Sequence, residues 1–265
     1  DGFTVGTSGS VNNGSNPDQY VAWQWKCNGG TTSTNTDGDI TSTVQVNQDA
    51  GFSIVTYTGN TSNNQTVGHG LGAKPSVILI RNRTRVESWR LNHQSINNGT
   101  GMIRLNSTDA YNTTGTTLMN VAPTSSVFNV STDWSVNGNY SFVAWCWAEK
   151  QGYSKFGKYV GNGNANGPFV YTGFKPAFLM MKRTDSTGNW VMFDNKRDTH
   201  NVTKHRLFPN LTNADNTTRN YIDLLSNGFK MRDTDVDHNA SGASIIYMAF
   251  AENPFVAGGI PTTAR

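Results

Sequence analysis

Glutamate is almost missing from this chain of 265 residues, which holds only Glu87, Glu149 and Glu252. Charge of either sign is scarce, at 15% of residues against a usual share of about a quarter. The net charge is +3 and no run of four Lys or Arg occurs, so the electrostatic footprint of a nucleic-acid binder is absent. The cluster Arg81-Asn82-Arg83-Thr84-Arg85 reads as a strand end followed by a solvated turn. No apolar stretch approaches the roughly 20 residues of a membrane-spanning helix, and no signal-peptide pattern is present. Cysteine is limited to Cys27 and Cys146, each inside an aromatic, strand-like run. Two cysteines make no disulfide framework and lack metal-ligand spacing, so buried free thiols are expected and the redox compartment stays open. Convincing helical periodicity is also missing. Its best candidate, Tyr221-Ile222-Asp223-Leu224-Leu225, is long enough for a single turn.

What is present is aromatic residues at 11%, set among Asn, Thr, Ser and Gly. Disordered chains lack aromatics and carry net charge, so this composition points to short strands joined by polar turns. Phe52 to Tyr57 is β-branched and aromatic, Val77 to Ile80 is apolar throughout as in a strand buried on both faces, and Tyr140 to Trp147 alternates large residues. Turn signals are dense, among them Asn97-Asn98-Gly99, Asn137-Gly138-Asn139, Gly161-Asn162-Gly163-Asn164 and Ser226-Asn227-Gly228.

The chain also repeats itself. Gly51-Phe52-Ser53 returns as Gly152-Tyr153-Ser154, Lys74-Pro75 as Lys175-Pro176 and Trp89 as Trp190, always at the same shift. Phe142 to Glu149 matches Ile245 to Glu252. Several landmarks at one spacing indicate an internal duplication. A third, partial copy opens the chain, where Tyr20 to Lys26 looks like the closing strand and Gly2-Phe3-Thr4-Val5 matches Gly228-Phe229-Lys230-Met231. That opening, without an initiator Met, suggests a piece of something longer.

The expected fold is therefore all-β: two tandem homologous β-sandwich modules of about 100 residues with roughly seven strands each, plus the C-terminal strands of a preceding module. A barrel is the alternative. The boundaries are 1–28 for the partial module, 29–48 for a linker, 49–149 and 150–253 for the two sandwiches, and 254–265 for a C-terminal tail.

Chemistry is sought in acids, histidines and aromatics. Glu149 and Glu252 fall at equivalent places, which argues for a structural role at a strand end. A glycosidase needs two carboxylates about 5 to 10 Å apart, and no Asp, Asp194 included, recurs in both copies with a catalytic look. His69, His93, His200, His205 and His238 show no i, i+4 pairing of the zinc-protease kind. His69, just before Gly70, suits a turn. No nucleophile elbow or phosphate-cradling loop occurs. The run Asp233-Thr234-Asp235-Val236-Asp237-His238-Asn239 resembles the start of a calcium loop, but His238 stands where Gly is required and Ser244 where Glu is required. A solvated hairpin loop is the plainer reading. Trp23, Trp25, Trp145 and Trp147 recur two apart and suit packing between sheets. A platform for sugar rings is the alternative, with Trp89, Trp134 and Trp190 the better candidates for exposure, although the recurrence of Trp89 and Trp190 favours a core. No catalytic, cofactor-binding or metal-binding residue is assigned, and no cofactor is expected.

The runs Thr43 to Gly59, His69 to Pro75, Gly152 to Gly163 and Tyr171 to Pro176, with the ending Tyr247 to Phe255 and its tail to Arg265, resemble repeats in marine bacteriophage tail-fibre-like virion proteins. The resemblance covers nearly the whole chain. It implies a location on the virion surface and attachment to a host, through a surface glycan or protein, alongside other virion proteins. It carries no catalytic residues. The expectation is a non-enzymatic homo-oligomer, a trimer by preference, with no nucleic-acid partner and no membrane insertion. The alternatives are a purely structural virion protein, a fibre-borne polysaccharide depolymerase, and a cellular adhesin.

Overall fold

The computed structural model describes residues 2–13, 19–111 and 118–254. It is all-β. In chain order the strands are β1 (Ser33–Asn35), β2 (Ser42–Asn47), β3 (Phe52–Thr58), β4 (Gln65–Gly68), β5 (Val77–Asn82), β6 (Arg90–His93), β7 (Met102–Arg104), β8 (Val127–Val130) and β9 (Ser141–Trp147). They continue as β10 (Ser154–Val160), β11 (Phe169–Tyr171), β12 (Pro176–Arg183), β13 (Trp190–Asp194), β14 (Ile222–Leu225), β15 (Gly228–Met231) and β16 (Ser244–Ala251). A single helical turn, α1 (Trp134–Asn137), starts on Asp133, whose carboxylate accepts the Ser135 amide.

A seven-stranded antiparallel sheet, ordered β1-β2-β3-β9-β5-β6-β7, faces the small sheet β4-β8. A four-stranded sheet, β10-β16-β12-β13, faces β11-β15-β14. Period-two alternation splits each large sheet between two cores. In β9, Phe142, Ala144 and Cys146 point to the core beneath β4-β8, while Trp145 and Trp147 point the other way. In β16, Ile245, Tyr247 and Ala249 fill the core beneath β11-β15, and Ile246, Met248 and Phe250 point away from it. These outward sets meet in a third core shared by the two large sheets. The apolar run of β5 follows directly, since both of its faces are buried.

The two sandwiches hold matching details. Tyr57 donates its hydroxyl to the Val136 carbonyl and Tyr159 to that of His238, both at 2.6 Å. The Asn137 side chain accepts the Asn60 amide at 2.9 Å, and Asn239 that of Asn162 at 3.0 Å. Gly59 and Gly161 sit against these same corners, where a Cβ would meet a carbonyl oxygen at 2.1 Å and 2.3 Å.

Three expectations change. Residues 29–48, expected as a linker, carry β1 and β2, and β2 pairs along its whole length with β3. Their Ser/Thr/Val alternation already carries the strand signal that the flanking glycines obscured. Among the described residues of 1–28 there is no strand. Instead Trp23, Trp25 and Cys27 reach into the end of the shared core, with Trp25 edge-on to Trp147, Phe178 and Phe250 at 5.3 to 6.2 Å. Burial of indole area substitutes for ladder hydrogen bonds there. Residues 221–225, the best helical candidate though too short for more than a turn, instead hold β14 because β15 offers them a ladder. The expected tail from 255 onward lies outside the described residues.

Candidate functional site

Of the tryptophans named as candidates for exposure, Trp134 alone stands out from the surface, at 52% exposed. Trp190 is 1% exposed and donates its ring N–H to the Arg104 carbonyl at 2.8 Å, tying the two sandwiches together. Trp89 is half-buried and stacks on Trp145 at 5.7 Å and 9°, beneath the Arg81 guanidinium. Trp23, Trp25, Trp145 and Trp147 all serve the shared core.

Three local devices hold Trp134. Asp133 caps α1 through the Ser135 amide at 2.8 Å, and the Ser135 hydroxyl, which also bonds Asp133, accepts from Arg90 Nε at 2.9 Å. Asn82, at the end of β5, donates to the Trp134 carbonyl at 3.3 Å. Gly138 has no side chain to displace Tyr140, whose ring lies 2.9 Å from where a Cβ would stand. Tyr140 therefore meets Trp134 at 5.8 Å between centroids, tilted by 43°.

Arg85 completes the cluster. The Asn82 side-chain oxygen accepts the amides of Thr84 and Arg85 at 3.0 and 2.9 Å, which turns the chain toward Trp134. The Arg85 guanidinium lies 4.9 Å from the Trp134 ring centre and 5.8 Å from that of Tyr140, and donates to the Tyr140 hydroxyl at 3.4 Å. Glu87 pairs with its Nε at 2.9 Å. Tyr140, then Glu87, holds the guanidinium pKa above its ordinary value, and an arginine carries its charge at any working pH. The result is an exposed indole, a tilted phenol and a fixed cation on one surface. The equivalent position in the second sandwich is Val236, and Ala243, whose carbonyl accepts the Gly161 amide as that of Tyr140 accepts Gly59, stands in the place of Tyr140, so the cluster occurs once among the described residues.

The acids and histidines are engaged in structure. Glu149 and Glu252, at the ends of β9 and β16, pair with Lys155 at 2.6 Å and Lys175 at 2.9 Å. His69 and His93 are fully buried, and each Nδ1 accepts a backbone amide two residues on, at 3.2 and 3.1 Å. Their Nε2 atoms are then left to donate to Thr124 and Tyr247 carbonyls. Burial lowers the pKa of each to about 4. Asp194, buried at the end of β13, pairs with Arg197 at 2.7 Å, and Arg197 and His205 both reach Asp215. His200 bonds Thr199 at 2.9 Å.

The acidic run is not a solvated loop. His238 is fully buried and its Nε2 lies 2.8 Å from Asp233. Asp235 takes Arg206 at 2.8 Å, and Asp237 takes the Asn189 amide at 2.7 Å. Burial pushes the Asp235 pKa up, but His238, the Asp237 amide and Arg206 together hold it below the usual carboxylate value. Among the described residues no group of three His, Cys, Asp or Glu is placed to hold a metal ion.

One comparison is informative. The family described as "Domain of unknown function (DUF7483)" matches residues 1–254. The chain belongs to that family. No curated protein and no solved structure matches it. The family match takes in both sandwiches and the N-terminal strap with its two tryptophans, so all three lie inside one family domain.

Proposed function

We propose that this chain is a non-enzymatic virion-surface module, of tail-fibre or spike type, that attaches to a host-surface glycan through Trp134, Tyr140 and Arg85. The observation that carries the reading is a large exposed indole held rigidly by a capped turn beside a second ring and a cation. An aromatic face suits the apolar C–H side of a pyranose, and a guanidinium suits its hydroxyl or carboxylate oxygens. Held rings lose little freedom on binding. The resemblance to tail-fibre-like repeats supports the virion setting, and the charge-poor, Asn- and Thr-rich surface suits a protein working outside cells.

The test is binding of the purified chain to a glycan array and to intact host cells. Saturable binding that weakens at least about tenfold in Trp134→Ala, roughly 1.4 kcal/mol, supports attachment. Binding unchanged by Trp134→Ala and Tyr140→Ala refutes this site. A second reading, a purely structural virion spacer, is favoured by the core shared between the two large sheets, which makes one stiff body. A folded chain that binds no glycan and no cell selects it. Release of reducing sugar in the same wells would overturn both.

A further inference from the structure

The first sandwich is closed along one side by residues 33–47. There β2 pairs with β3 from Ser42↔Tyr57 to Asn47↔Phe52. The same segment covers β4: the Ile40 amide donates to the Thr66 carbonyl at 3.0 Å, the Thr66 amide donates to Asp39 at 3.0 Å, and the Ser42 hydroxyl reaches the Gly68 carbonyl at 2.8 Å. Among the described residues the second sandwich has no such cover. Its β10 and β11 end their sheets on the corresponding side, because the residues just before β10 are already spent as β9.

Register shows which amides are left. The Ala251 amide bonds the Tyr153 carbonyl and the Gly161 amide bonds that of Ala243, so Lys155, Gly157 and Tyr159 face β16. Ser154, Phe156, Lys158 and Val160 face outward. The outer side is capped as far as Phe156, whose amide donates to Glu149 at 3.3 Å and whose carbonyl accepts from Gln94 at 2.6 Å. Beyond that, Lys158 and Val160 have no backbone partner on this side among the described residues, and the Val160 side chain is 62% exposed. On β11, Phe169 and Tyr171 likewise face outward, because Val170 and Thr172 face β15.

Charge that is left outside ion pairs differs in sign between the two free edges. From Cys27 to Ala73, around β1, the chain has Asp37, Asp39 and Asp49 and no Lys or Arg. Around β10 it has Lys150, Lys155, Lys158 and Lys175; Glu149 pairs with Lys155 and Glu252 with Lys175, which leaves Lys150 and Lys158 as the cations outside an ion pair among the described residues. Pairing β10 with its own copy sets lysines against lysines, which is unfavourable. Pairing it with the β1 edge of another copy sets Lys150 and Lys158 against aspartates.

We infer that copies of this chain join head to tail, the β1 edge of one first sandwich adding to the open Lys158–Val160 edge of another's second sandwich. Such a contact is heterologous, so it propagates instead of closing as a dimer. It is independent of the glycan site, which lies on the Arg85–Trp134–Tyr140 surface.

Sedimentation velocity of the full chain over a concentration series tests it. The expected result is a mass that rises past the dimer with concentration and falls with added salt. Val160→Pro removes only an outward amide and spares the β16 ladder, and Lys158→Glu reverses one charge of the edge. Each is expected to weaken association at least about tenfold while leaving the melting curve and the Trp134-dependent binding in place. Should Val160→Pro not fold, Lys158→Glu decides alone. A monomer at every concentration, a closed dimer or trimer, or association indifferent to both variants overturns the inference.

Discussion

Acidification between neutral pH and pH 4 is expected to loosen this protein well before its carboxylates titrate, and the cause is His69 and His93. Each ring is buried with Nδ1 accepting a backbone amide, so protonation would break that bond and place a charge in the core, which for His69 only Asp37 offsets. The folded pKa is about 4 for both, against 6.5 for an exposed imidazole. The unfolded chain therefore binds more protons throughout this window, and stability falls as pH falls. The loss begins near the unfolded value and levels off below the folded one. For one such histidine it amounts to about 2 kcal/mol at pH 5 relative to pH 8, rising to about 3 kcal/mol at the acid limit. His93 matters most, since its Nε2 holds the Tyr247 carbonyl across the shared core at 3.1 Å. Urea unfolding at pH 8, 6 and 5 measures the slope, and His93→Gln is expected to lower stability at pH 8 but to flatten the slope by about half. Asp185 and Asp235, both held below the usual carboxylate value, contribute only at still lower pH. A stability that is flat from pH 8 to 5 in the unaltered chain refutes the reasoning.

Other outcomes are as specific. Tyr57→Phe and Tyr159→Phe each leave a buried carbonyl short of its donor and are expected to cost about 1–2 kcal/mol by chemical denaturation, with similar values for both. Gly161→Ala forces a Cβ onto the Ala240 carbonyl and is expected to destabilise by about 2 kcal/mol or more, as is Gly59→Ala at the matching corner. Trp190→Phe removes the bond to Arg104 along with part of a fully buried ring, and is expected to lower the melting temperature while leaving the proposed glycan binding unchanged. Trp134→Ala should do the reverse, shifting stability by no more than about 0.5 kcal/mol.

The strands were legible where pattern and burial agree. Val77 to Ile80 reads as doubly buried from its unbroken apolar run, and β5 is indeed clasped by two cores. Repeated landmarks were legible too, but register was not. Matching Phe52 to Tyr153 by sequence puts the strands one residue out of step, because Tyr57 and Tyr159, which make the equivalent corner bonds, differ by one more position than Gly51 and Gly152. A pleat turns every side chain over when register slips by one, and the turn ahead of Ser154 absorbs the extra residue. The buried acids of 233–239 were illegible for another reason. Alternate Asp looks solvated in sequence, and only the fold brings Arg206, Asn189 and His238 to them. Trp134 was legible through its polar neighbours, but Arg85 and Tyr140 were not, since their meeting depends on the Asn82 turn and on Gly138.

The shared core also explains why the aromatic content is high in a chain with so few charges. A sandwich normally leaves two outer faces to solvent, each with polar residues at alternate positions. Here the outer face of each large sheet is covered by the other, so Trp145, Trp147, Ile246, Met248 and Phe250 occupy positions that would otherwise be polar. The N-terminal strap extends the same logic, with Trp25 closing the end of the seam against Trp147 and Phe250. Cutting the strap away should therefore destabilise both sandwiches together and not one of them. Deletion of residues 1–28 is expected to shift a single cooperative transition to lower temperature. Two separate transitions, with one unmoved, would show that the seam does not couple them.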